Sequence, residues 1–183
     1  GLEPKSRTEM VFSGGFPYSR PERFVLRSLG DILEIKLREE LREELGGTYG
    51  VSVSPSPSRI PREAYTFSIR FESAPDNVDQ LVAAVFAQID PLASQGPGEK
   101  DLAKVRETVI RSRETDLREN GFWLGQLSGY LINGEDLNGI ATVDDLLPLL
   151  THDRIQRAAP SSEPDRPFSS RSTSVSKSGS GRT

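Results

Sequence analysis

The chain has 183 residues, room for one domain and a tail. Its hydrophobic content of 34% is low for a chain folded throughout, and its net charge of −4 deepens to about −6 over residues 1–159. That balance argues against nucleic acid or an anionic membrane as the main partner, and the absence of cysteine removes disulfides, thiol catalysis and cysteine metal sites.

The first residues, Gly1-Leu2-Glu3-Pro4-Lys5, lack the apolar stretch of a signal peptide and a starting Met. The sequence therefore reads as a piece of something longer. No apolar run approaches a membrane span, and cysteine usage fits cytosol and periplasm equally. Residues 8–13 read as a short strand ended by Gly14-Gly15. Pro17 to Arg20 is a loop, and Ser19 or Arg20 followed by Pro21 and Glu22 starts a helix, because proline is tolerated in the first turn. Leu26, Leu29, Leu33, Leu37, Leu41 and Leu45 recur at three- and four-residue steps, one apolar stripe about six turns long. Gly46-Gly47 stops it as a C-cap.

Tyr49, Val51 and Val53 then alternate with Gly50, Ser52 and Ser54, a strand that Pro55-Ser56-Pro57-Ser58 is expected to break. A second strand puts Tyr65, Phe67, Ile69 and Phe71 on one face, and the two should pair antiparallel. Asp76 is read as the cap of a helix through Val78, Leu81, Val82, Val85, Phe86 and Ile89 that ends near Pro91. A charged helix runs from about Glu99 to Asn120 with Leu102, Val105, Val109 and Leu117 inward. Phe122 to Ile132 is a short apolar helix, and 143–150 and 151–159 are two more helical pieces. This order predicts an α+β fold, a small, mostly antiparallel sheet with helices packed on one face. Residues 1–159 form that domain. Residues 160–183 hold nine Ser and little apolar beyond Phe168 and Val175, and are expected to be disordered.

A search for chemistry returns little that the chain could run alone. His152 is the one histidine, and a single His without a His or Cys companion reads as a surface residue. There is no histidine-pair zinc motif, no Gly-x-Ser-x-Gly elbow and no phosphate-loop spacing. Glu39, Glu40, Glu43 and Glu44 beside Arg38 and Arg42 read as a solvated helix face, with Glu34 placed to pair Arg38 four residues on. Arg42 suits the helix dipole wherever the helix ends. Tyr49 shares a face with Val51 and Val53 and could serve as core. From the residues alone, structural and functional readings of both stay open.

The segment from Leu37 to Val51, LREELREELGGTYGV, resembles the C-terminal, non-zinc domain of pitrilysin-type (insulin-degrading-enzyme-like) zinc metallopeptidases. Glu3-Pro4-Lys5-Ser6 and Glu119-Asn120-Gly121-Phe122-Trp123-Leu124-Gly125-Gln126-Leu127 extend the likeness to the long four-domain bacterial subgroup, over residues 1–159. The resemblance implies a LuxS/peptidase-like repeat and a family in which zinc sits in the absent N-terminal domain, held by an inverted histidine motif. Arg42 and Tyr49, seven residues apart, match the family pair that reaches the substrate backbone and the developing oxyanion; Arg38, eleven residues before Tyr49, matches less well. The implied function is a substrate-binding domain of a peptide-cleaving zinc endopeptidase, inactive alone, with the zinc-bearing N-terminal half and a peptide as partners. The alternative is a non-catalytic structural or assembly subunit of the same fold, or a degenerate fragment. The composition of 160–183 departs from the family. It leads us to expect a missing final strand and a frameshift or truncation in the gene. The compartment stays open, since any signal would lie upstream.

Overall fold

The computed structural model describes residues 5–44, 48–160 and 170–176; the side chains of 42–49 and 170–176 lie outside the described residues. Four strands form one antiparallel sheet in the order β2-β3-β1-β4: β1 (Ser6–Gly15), β2 (Thr48–Ser58), β3 (Ala64–Ser73) and β4 (Ser170–Ser176). The helices are α1 (Arg20–Arg38), continued by a π-helical turn at Glu39–Glu44, then α2 (Val78–Gln95), α3 (Glu99–Asp116), α4 (Asn120–Asn133) and α5 (His152–Ala158). This is the expected α+β arrangement.

Strand alternation decides which sheet face is covered. Met10 and Phe12 of β1 and Tyr65, Phe67, Ile69 and Phe71 of β3 are buried. The leucine stripe of α1 packs against them, joined by Leu81, Val85 and Ile89 of α2, Leu102 and Val105 of α3 and Ile155 of α5. The opposite face carries directly opposed pairs, Arg7 with Glu72 at 2.8 Å and Arg70 with Glu9 at 2.6 Å. Such exposed pairs contribute little stability but keep that face in water.

Three elements depart from the sequence expectation, at four points. β2 runs through both prolines to Ser58. It lies at the edge of the sheet, where a residue without an N–H leaves no ladder bond unmade. Asp76 does not cap a helix: Asn77 holds the N-cap of α2 after a short 3-10 turn. That helix continues past Pro91 because Leu92 and Ala93 beyond it are buried, and Gly96 stops it with φ 74° and an N–H bonded to Leu92 O. The fourth difference is the final strand expected to be missing. Ser170–Ser176 forms β4, registered on β1 from Arg7↔Ser176 to Ser13↔Ser170. Ladder bonds are made by the backbone, so a Ser-rich segment can still satisfy the open edge of β1. Residues 161–169 and 177–183, expected to be disordered, lie outside the described residues.

Two neighbours on α1 carry testable consequences. A Cβ on Gly30 would sit 2.9 Å from Cγ and 3.0 Å from Cδ of Pro55. The pyrrolidine ring is rigid and fixed in β2, so no rotamer relieves the clash. Alanine would improve helix propensity by about 1 kcal/mol, whereas overpacking costs about 1–3 kcal/mol. Gly30→Ala is expected to lower stability in urea unfolding; an unchanged or raised midpoint would show that β2 yields.

Next to it, burial pushes the Asp31 carboxyl up to about 6, Glu34 adds to the shift and Arg27 partly offsets it. A raised carboxyl favours the folded state below its unfolded value, about 4. That contribution disappears as pH rises through 6. Because Asp31 is an exposed residue, screening limits the effect to about 1 kcal/mol or less. Asp31→Asn should therefore raise the melting temperature at neutral pH and leave it unchanged near pH ~4.

Candidate functional site

The corner that carries the family likeness is built from α1 outward. Ser19 caps the helix, its Oγ accepting from the Glu22 N–H, and Leu37 and Leu41 anchor the far end in the core. The α-helix widens into a π-helical turn at Glu39–Glu44, a form of helix often found beside functional sites. The end of α1 and that turn are tied to α2 and α3. Lys36 pairs with Asp101 at 2.9 Å, Glu39 with Lys104 at 3.4 Å, and Glu40 accepts from Gln88 Nε2 at 3.3 Å. Glu34 links the helix to the next strand by accepting from the Val53 N–H at 3.3 Å.

Arg38 pairs with Glu34 at 2.5 Å, as the four-residue spacing predicts, so its guanidinium is engaged on the helix surface. The backbone of Arg42 lies in the π-helical turn and that of Tyr49 in β2. The side chains of both lie outside the described residues. The register of β2 on β3 shifts between Thr48 and Val51. Strand alternation cannot be carried across such an irregularity, so the faces of Val51 and Val53 do not fix that of Tyr49.

His152 stands at the start of α5 with its side chain 47% exposed, Nδ1 lying 3.3 Å from Asp153 Oδ1. Its ring covers Gly96: a Cβ there would meet Nε2 at 2.7 Å. Among the described residues no group of three or more His, Cys, Asp or Glu could hold a metal, so those residues do not form a zinc-binding set.

A second concave site escaped the sequence reading. α1 carries Arg20, Arg23 and Arg27 at three- and four-residue spacing, and they face α3 and α4 across a cavity of about 270 Å³ that Arg113 also lines. Arg20 is paired with Asp145 and donates to Tyr130 Oη at 2.9 Å and to the Gly139 and Thr142 carbonyls at 2.8 Å. Arg23 is held by both carboxylate oxygens of Glu135, at 2.5 and 2.6 Å, and lies 4.6 Å from the Tyr18 ring centroid. Burial alone would lower the Arg23 guanidinium; the hydrogen bonds and charge of Glu135 outweigh it and hold the group above its usual value. Arg113 donates to Ile140 O at 3.0 Å and stacks 5.1 Å over Phe122. The periodic arginines on α1 were the signal available in the sequence.

A family profile described as the peptidase M16 inactive domain matches residues 1–109. The chain belongs to that family. The stromal processing peptidase of pea (Pisum sativum) chloroplasts is 26% identical over 122 residues, 66% of this chain and 10% of that protein. The periplasmic protease PqqL from Escherichia coli superposes with a TM-score of 0.72 at 21% identity, covering 86% of this chain and 18% of that one. A peptidase M16 inactive domain from Pseudomonas fluorescens gives a TM-score of 0.65 at 21% identity, over 85% of this chain and 38% of that one. At such identities the structural likenesses bear on the fold. The chain thus spans about a tenth of the pea peptidase and less than a fifth of the Escherichia coli protease. It is a non-catalytic domain of peptidase type.

Proposed function

We propose that this chain is the substrate-binding domain of a zinc endopeptidase, nearest the long four-domain bacterial members, whose metal belongs to an N-terminal half. The observation that carries this reading is the Arg42-to-Tyr49 spacing across a helix-to-strand corner that four neighbouring side chains brace. In this reading Arg42 and Tyr49 donate hydrogen bonds to the substrate backbone and to the carbonyl oxygen as it gains negative charge. Both groups are donors near neutral pH, and donors fixed in advance of the reaction cost no reorganisation when charge develops. An association with another domain also fits α4, which exposes Leu124 at 71%, Leu131 at 67% and Ile132 at 77%, apolar area that a partner would cover.

The chain by itself should have no peptidase activity. Mixing it with a separately produced zinc-bearing half should restore cleavage of a fluorogenic peptide. If the two halves bind each other and cleavage stays absent, the alternative of a structural or assembly subunit takes its place.

A further inference from the structure

We propose that the cavity between α1, α3 and α4 binds a single carboxylate group between Arg27 and Arg113. This goes beyond the peptidase reading and does not depend on it. Of the four guanidinium groups lining the cavity, two are neutralised in place, Arg20 by Asp145 and Arg23 by Glu135. Arg113 retains donors beyond its bond to Ile140 O and has no carboxylate within ion-pair distance among the described residues. Arg27 has neither a hydrogen bond nor an ion pair among the described residues. Burial of its inner side, then the like charge of Arg23 and, least, that of Arg113 hold its pKa below the usual value, against the opposing effect of Tyr18 and Tyr130. An anion at this place would reverse that repulsion.

Asp116 is the carboxylate among the lining residues, so Arg27, Arg113 and Asp116 together leave about one positive charge. That matches a monoanion better than a phosphate dianion. Room for the ligand comes from α4. Gly125 and Gly129, four residues apart and both lining the cavity, would each carry a Cβ into open space. A glycine inside a helix costs about 1 kcal/mol against alanine, so the two together weaken the helix while leaving the cavity open. Arginine is the side chain best shaped to take both oxygens of a carboxylate.

A free small acid, a peptide C-terminus and an acidic side chain share this chemistry. The test follows the Gly125 and Gly129 amides by NMR in the full chain. The titrants are sodium acetate, an acetylated tri-alanine with a free C-terminus, an amidated peptide carrying one glutamate, the uncharged amidated tri-alanine, and inorganic phosphate. Saturable shifts with at least one carboxylate, and none with the uncharged peptide, are expected; whichever carboxylate binds tightest identifies the source. Arg27→Gln and Arg113→Gln should each weaken binding on the order of tenfold. Asp116→Asn should tighten it severalfold, and Gly129→Leu should remove it. Arg27 keeps its outer side exposed and holds no partner among the described residues, so its variant leaves the fold unchanged and serves as the control against misfolding. Absence of saturable binding, equal affinity in Arg27→Gln, or tighter binding of phosphate than of every carboxylate overturns the proposal.

Discussion

Replacing Tyr49 by Phe in this chain, paired with a zinc-bearing half, is expected to lower kcat for peptide cleavage by about 10²–10³-fold, the usual effect of losing one preformed oxyanion donor. KM should change little, because the hydroxyl's contribution grows with the charge on the carbonyl oxygen and is small in the ground state. The substitution separates the two readings of this residue. A phenyl ring keeps the apolar surface of tyrosine, so a Tyr49 that serves as core predicts unchanged turnover and near-unchanged stability. The two measurements therefore belong together: kcat from steady-state cleavage, and the unfolding midpoint of the isolated chain. A full kcat in Tyr49→Phe rejects the donor role whatever happens to stability. Arg42→Lys sharpens the result, since lysine keeps the charge and loses the planar two-donor fork; a loss of rate there points to geometry over charge.

What the sequence made legible follows from how local each signal is. The leucines of α1 and the Tyr65-to-Phe71 alternation announce their elements because burial repeats at the period of the backbone itself. The π-helical turn was not legible: Leu37, Leu41 and Leu45 repeat every fourth residue and do not distinguish α from π hydrogen bonding. The prolines of β2 read as a break because their cost depends on which edge of the sheet the strand occupies, a fact of tertiary structure. β4 was missed for a related reason, since pairing on β1 draws on backbone groups that composition does not show. The arginines of α1 were visible, yet their meaning was not. Glu135 lies 112 residues from Arg23 and Asp145 lies 125 from Arg20, and nothing local ties them. The Arg42-to-Tyr49 corner was legible as a resemblance alone.

That long-range pair defines the largest stability effect expected away from the core. Glu135→Ala should cost about 3 kcal/mol, at the low end for breaking a buried ion pair by removing one partner, because Glu135 remains 18% exposed. The loss comes chiefly from Arg23, buried beside Tyr18, whose two terminal nitrogens would lose acceptors at 2.5 and 2.6 Å. In a chain of this size the melting temperature should fall by roughly 6–12 °C. Replacing both partners by apolar residues of similar volume, Arg23→Met with Glu135→Leu, should recover most of that loss, since no unpaired charge is then left inside. A Glu135→Ala chain as stable as the parent would mean that water reaches Arg23 and that the bridge does not hold the loop after α4 onto α1. If the loss appears, Arg23 becomes a third uncompensated guanidinium beside Arg27 and Arg113. The folded fraction of the same variant should then bind a carboxylate more tightly than the parent chain.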